Sequence, residues 1–241
     1  MARKTRTKTK SKPQNRLAQG IRRVRRTILR ALLAIAGLGV VWVIAYSFLP
    51  VPTTPYMFAE SRREGGVDYQ WVSVDEVAPV MLRAVVAAED ANFCQHWGFD
   101  LDAIRSVIEA GGERGASTIT QQVAKNAFLW HGRSWPRKAL EALLTPAVEA
   151  VWSKRRILEV YLNIAEFDRG VFGVEAASRH YFGVGPEALS PTQAGRLAAV
   201  LPAPKDRDAA KAGAFVQRRG AQIVDGAATI ARDGRASCFE D

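Results

Sequence analysis

The longest apolar stretch of the chain runs from Ile28 to Leu49, interrupted only by Arg30, and no further charge appears until Glu60. About 20 apolar residues in a helix span a hydrocarbon core of about 30 Å, so residues 27–49 are expected as a transmembrane anchor. Beyond Pro50, Pro52 and Pro55 the pattern changes to apolar positions three and four apart, the period of an amphipathic helix. Val80, Ala84, Val85 and Ala88 predict a helix capped at Asp75 and ending near Glu89. Asp100 caps a short one over Leu101–Ile108, which the glycines of 111–115 break. Thr118 with Gln121 has capping-box spacing, predicting a helix to about Leu129. Ser134 before Pro136 opens another through Leu140, Leu144, Val148 and Val151, with a kink expected at Pro146. Further helices are expected from Arg156 to about Leu162, from Ser190-Pro191-Thr192-Gln193 to Leu201, and over 215–231. No internal repeat and no alternating strand pattern of useful length occurs, so the fold class is mainly α.

Charge divides the chain. The net charge of +10 first suggests nucleic acid, but 12 of the 34 Lys and Arg fall in residues 1–30, where there is no acid. The remaining 22 bases face 24 acids, so the basic excess belongs to the tail and a nucleic-acid role for the main domain is set aside. Residues 1–26 are too polar to fold and read as a disordered tail. Arg22, Arg23, Arg25 and Arg26 place the N-terminus in the cytoplasm by the positive-inside rule. A cleaved signal peptide has an apolar run of about 7–15 residues, exceeded here, although Ala45-Tyr46-Ser47 has the small-residue character of a cleavage site. A twin-arginine export signal around Arg25-Arg26 is the weaker alternative. The expected organisation is a basic tail (1–26), a signal anchor (27–49), a proline-punctuated linker (50–68), a helical domain (69–232) and a C-terminal tail (233–241). Cys94 and Cys238 make no disulfide framework; they could pair in an oxidising compartment although the spacing does not demand it, and otherwise Cys94 reads as packing and Cys238 as part of a loose C-terminus.

Four polar clusters sit where helix packing does not require them. Glu89 and Asp90 oppose the dipole of the helix they end, with His96 nearby. Ser117, Thr118, Gln121, Gln122, Lys125 and Asn126 form two adjacent polar rows on one helix. Arg133, Arg137, Lys138 and Glu141 make a cationic group, and Glu159 with Asn163 precedes the turn Gly170-Val171-Phe172-Gly173. Singly, each has an ordinary reading: a solvated helix face, or a surface ion pair worth under about 1 kcal/mol. Together, two glutamates and a set of cations describe acid–base help for an anionic leaving group. His96, His131 and His180 have no zinc-ligand spacing, and no Walker or dinucleotide glycine pattern occurs.

These residues carry a resemblance. Glu89-Asp90-x-x-Phe93-x-x-His96-x-Gly98-Phe99-Asp100 resembles the first motif of the bacterial peptidoglycan glycosyltransferases, and Gly115 to Asn126 the second. Arg137-Lys138-x-x-Glu141 is similar to the third, Lys154 to Asn163 to the fourth, and Gly170 to Ala177 to the fifth. Ala116, where Gly is frequent, and Asp168-Arg169-Gly170 are mild departures. With no room for a transpeptidase domain, the chain is similar to the monofunctional members of that family.

The resemblance implies a lysozyme-like helical glycosyltransferase domain behind a single N-terminal transmembrane helix. It implies polymerisation of lipid II into glycan strands with loss of undecaprenyl pyrophosphate and inversion at the anomeric carbon, outside the cytoplasmic (inner) membrane. Glu89 would be the general base, with Asp90 or apolar neighbours raising its pKa. Glu141 would assist departure through nearby bases or a divalent cation such as Mg2+ or Mn2+. Lys125, Arg133, Arg137 and Lys138 would take donor phosphates, while Asp90, Ser117, Thr118, Gln121, Gln122 and Asn126 are expected to meet substrate in the cleft. Glu159 and Asn163 are expected to be structural. Expected partners are lipid II, the lipid-linked chain and the membrane, with other cell-wall synthesis proteins as candidates and no nucleic acid. Tyr56-Met57-Phe58 could dip into the bilayer. The nearest competitor is a lysozyme-like hydrolase or lytic transglycosylase, which needs no pyrophosphate-binding cations; a non-catalytic anchored scaffold would not account for five ordered motifs.

Overall fold

A computed structural model describes residues 14–109, 111, 115, 117–132 and 134–240. It divides into two compact units, residues 1–45 and 46–241. The first unit is the greater part of one helix, α1 (Gln14–Tyr46). Its segment from Gln19 to Tyr46 is long and apolar enough to cross a membrane. The helix starts at Gln14, inside the tail expected to be disordered: Arg, Gln, Leu and Ala propagate a helix that the apolar run has already nucleated. Residues 1–13 lie outside the described residues.

The second unit is helical with one small sheet. Residues 50–68, expected as a linker, instead contain α2 (Pro55–Glu64), whose first turn is capped by Thr54 accepting from Met57 N. Met57 and Tyr56 are buried, so of the three residues expected at the bilayer only Phe58 is exposed. Asp75 does not cap a long helix. Ser73 caps a single 3-10 turn over Val74–Glu76, and α3 (Pro79–Glu89) begins two residues later with Pro at its first position. The helices that follow are α4 (Leu101–Glu109), α5 (Ile119–Phe128), α6 (Trp135–Val151) and α7 (Lys154–Ile164). Asp100 Oδ1 accepts from Ala103 N at the start of α4, and the Thr118–Gln121 capping box starts α5, both as the spacing predicted. Pro146 lies inside the continuous α6.

Three short strands escape the alternation test because they are only two or three residues long. β1 (Asp68–Tyr69) runs parallel to β3 (Val171–Phe172), and β2 (Glu166–Asp168) pairs antiparallel to β3 on its other side with a bulge. The turn into α8 (Val174–Phe182), a helix absent from the sequence reading, needs Gly173: its φ is +84°, and a Cβ there would lie 2.8 Å from Asn163 O. The chain closes with α9 (Pro191–Val200), α10 (Ala214–Arg232) and the short α11 (Ser237–Glu240).

Two helical groups make the core. In one, α3, α9 and α10 pack on Met81, Val85, Leu197, Ala198 and Ile223; in the other, α5, α6 and α7 bury Ile119, Val123, Val148, Ile157 and Leu158. The C-terminus is not loose. Cys94 and Cys238 form a disulfide, Phe93 and Phe239 pack 6.3 Å apart, and Arg235 Nη1 donates to Ala91 O. Neither cysteine has a partner within reach along the sequence, so only the tertiary fold reveals the pairing.

Candidate active site

Glu89 is the last residue of α3, where the helix stops because the next residue, Asp90, leaves helical geometry. Two open cavities meet at it. The first, of about 740 Å³, is lined by Glu89, Gln122, Lys125, Asn126 and Tyr161 on one side and by Tyr56, Glu60, His131, Glu166 and Lys205 on the other. The second, of about 660 Å³, is lined by Ala88, Glu89, Gly115, Ser117, Gln122, Pro202, Phe215, Arg219 and Gln222. Glu89 and Gln122 belong to both, so the carboxylate sits at the throat of a two-lobed cleft.

A short relay fixes that carboxylate. Gln122 Nε2 donates to Glu89 Oε2 at 2.9 Å, and Tyr161 Oη donates to Gln122 Oε1 at 3.3 Å. Burial holds the Tyr161 hydroxyl protonated, well above its ordinary range, so it acts as the donor that aims the amide's NH2 at Glu89. Enclosure raises the Glu89 pKa above the usual carboxylate value. Gln122, Arg219 and Lys125 oppose that rise, and Asp90 adds to it last and least. A carboxylate so placed is shifted toward the range where it accepts and returns protons near neutral pH.

Asp90 faces inward. Its Oδ2 accepts from Ile119 N and its Oδ1 pairs with His96 Nε2 at 2.8 Å, so it ties the first turn of α5 to the loop after Glu89. Thr118 and Gln121 are buried in their capping box, with Thr118 Oγ1 donating to Gly98 O. These three are among the residues expected to meet substrate, and none lines either lobe. Ser117, Gln122, Lys125 and Asn126 do, and the buried Asn126 Oδ1 has no hydrogen-bond partner among the described residues.

Behind Lys125 lies the cationic group. Glu141 Oε2 accepts from Arg137 Nη1 at 2.9 Å and its other oxygen from Lys138 Nζ. Burial lowers the pKa of Lys125, and of the charges acting on it Glu141 is the largest, followed by Arg137, Lys138 and Glu89. Arg137 and Lys138 thus engage one carboxylate, with Lys125 in its field, so positive charge predominates around Glu141. Arg133 lies outside the described residues. A resident divalent cation does not fit here, because the one carboxylate is already engaged by two bases, whereas such ions need several free oxygen ligands. Asp90, His96 and Asp100 come close together, but both carboxylates are committed to hydrogen bonds with Ile119 N, Ala103 N and Asn92.

Asn163 accepts from Val72 N and donates to Val72 O, and Glu159 accepts from Val74 N, so both hold the chain that leads into α3, as expected of structural residues. Tyr161, Arg219 and the far wall of the first lobe were not singled out from sequence. Tyr161 sits in the fourth motif, a signal that names it without giving its orientation; Arg219 lies about 130 residues along the chain from Glu89 and only folding brings it near.

Comparison with known proteins shows the family. The transglycosylase family profile matches residues 58–228. The chain is 55% identical over 240 residues to the biosynthetic peptidoglycan transglycosylase of Jannaschia sp. (strain CCS1), covering 99% of each chain. It is 44% identical to the protein of the same name from Caulobacter vibrioides, over 90% of this chain and 97% of that one. It is 48% identical to the one from Cronobacter sakazakii, over 84% and 88%. The chain therefore belongs to the transglycosylase family and is a peptidoglycan glycosyltransferase.

Proposed function

We propose that the protein polymerises lipid II, with Glu89 as general base and the lipid-linked growing chain as donor. In this reading the donor's pyrophosphate lies in the first lobe against Lys125, with Arg137 and Lys138 next to it, and the acceptor enters the second. The acceptor's 4-hydroxyl oxygen bonds to the donor's anomeric carbon as that carbon's bond to the phosphate oxygen breaks. The hydroxyl proton passes to Glu89, the electron pair of the broken bond leaves on undecaprenyl pyrophosphate, and configuration inverts. Arg137 and Lys138, held by Glu141, would lower the cost of the negative charge that develops on the leaving group.

The observation that carries the reading is Glu89 at the junction of two lobes, the first of which is lined by Lys125 in the field of Arg137, Lys138 and Glu141. A cationic cluster of this kind suits a substrate that leaves as an anion, with Glu89 placed to deprotonate the other. Hydrolysis of finished glycan would not use those cations. In this reading α1 spans the inner membrane with its basic end in the cytoplasm, and it keeps enzyme and lipid-linked substrate in two dimensions. A disulfide suits a domain outside the reducing cytoplasm.

Incubation of purified full-length protein with labelled lipid II tests this. Long glycan strands are expected from the wild type and none from Glu89→Gln, whose melting temperature should be no lower than the wild type's. Cleaved strands in place of polymer, or near-normal polymerisation by E89Q, would overturn the assignment.

A further inference from the structure

Arg219 belongs to none of the five motifs, yet the packing of α10 delivers it to Glu89. A Cβ on Gly195 would come within 2.6 Å of Gly220 O, and one on Gly226 within 3.2 Å of Ala87 Cβ. Glycine at those places lets α10 approach both α9 and α3. Arg219, the buried Ile223 and Gly226 are spaced i, i+4, i+7, which places them on the one face that α10 turns toward α3. The Arg219 guanidinium then donates to Ala88 O at 3.4 Å, the carbonyl one residue before Glu89, and lines the second lobe together with Glu89.

The geometry points to Arg219 as a positioning residue for the transfer reaction: from the second lobe it keeps the Glu89 carboxylate ionised and ready to accept the acceptor's proton. This rests on the lipid II reading for the reaction, but not for the effect on Glu89. The charged and titratable groups around Glu89 are Asp90 on its own loop, Lys125 on α5, Tyr161 on α7 and Arg219 on α10, with the neutral Gln122 bonded to it. Burial and Asp90 favour the protonated form, whereas Gln122, Arg219 and Lys125 favour the ionised one. When a pyrophosphate occupies the first lobe, its negative charge meets Lys125 and cancels most of the field that Lys125 exerts on Glu89. Arg219 faces the other lobe and retains its field. Its guanidinium stays charged throughout the working pH range. It therefore offsets the burial of Glu89 at the moment when the base must be free of its proton.

The test compares full-length wild type with Arg219→Gln, Arg219→Met and Arg219→Lys. Carbon-13 NMR of glutamate-labelled protein, with E89Q to assign the signal, follows the Glu89 carboxyl without any substrate. The two neutral variants differ in polarity and packing, so the one that keeps the wild-type melting temperature is read. Its Glu89 midpoint is expected to move to higher pH, and the acid limb of lipid II polymerisation to move with it. A shift of half a pH unit is a loss of about threefold on that limb, recovered at alkaline pH. R219K is expected to restore most of the wild-type behaviour. A folded neutral variant with an unmoved midpoint overturns the inference, as does a rate loss equal at every pH. A shifted midpoint in a protein that does not polymerise lipid II supports the role of Arg219 and rejects the proposed reaction instead.

Discussion

Glu89 is held in a state that favours function over stability. Its folded carboxyl binds a proton more tightly than the unfolded chain does, because enclosure outweighs the Gln122 bond and the two cations. The contribution to folding is therefore complete below the ordinary carboxylate pKa and is lost as pH rises through the raised folded value. Two outcomes follow. E89Q should melt at or above the wild-type temperature at pH 7.5, with the advantage vanishing at pH 4, as a pair of thermal scans would show. Polymerisation by the wild type should fall on an acid limb lying above the usual carboxylate range. Asp90 differs. Because both its oxygens hold neighbouring segments, Asp90→Asn should cost about 1–3 kcal/mol of unfolding free energy in a denaturant titration. Its acid limb should stay near that of the wild type, since Asp90 is the smallest of the influences on Glu89.

Among elements, those opened by a capping box or by Asp100 form where the signals lie, whereas Asp75 caps no long helix. The capping boxes at Thr118 and Ser190 start α5 and α9, and Asp100 starts α4. The elements not legible were the short or buried ones. α2 follows two prolines and opens on a third, which reads as linker, yet Thr54 caps it and Met57 and Tyr56 anchor it in the core. The strands are too short to show a period of two, and the β1–β3 pairing joins segments about 100 residues apart. Gly173 links these pieces, since it turns the chain from β3 into α8 against the Asn163 carbonyl. Gly173→Ala combines a left-handed backbone with a 2.8 Å contact and should destabilise by about 1–3 kcal/mol, measurable as a drop in melting temperature.

At the scale of the whole molecule, the disulfide ties the last helix to the loop that follows Glu89 and closes a segment with a sequence separation of 144. Chain-entropy arguments put its stabilisation at up to about 5 kcal/mol for a loop of this length. Reductant, or Cys94→Ser with Cys238→Ser, should therefore lower the melting temperature of the wild-type fold, and reductant should leave the double variant unchanged. Arg235 on Ala91 O and Phe239 on Phe93 reinforce the same junction.

The sequence by itself determined the helical class, the apolar N-terminal helix and the five motifs, and it pointed to Glu89 and Glu141 as the candidate catalytic pair. Those features are local: hydrophobic period, caps and residue type are written over a few turns of chain. Tertiary structure alone decided which polar residues face the cleft. Thr118, Gln121 and Asp90 look like site residues in one dimension, but backbone amides claim their oxygens and turn them inward. Tyr161 and Arg219 come to Glu89 through helix packing, and Cys94 meets Cys238 across nearly the whole domain. Such proximities depend on how closely helices approach, which small residues such as Gly195, Gly220 and Gly226 permit, and no local pattern encodes the partner they will meet.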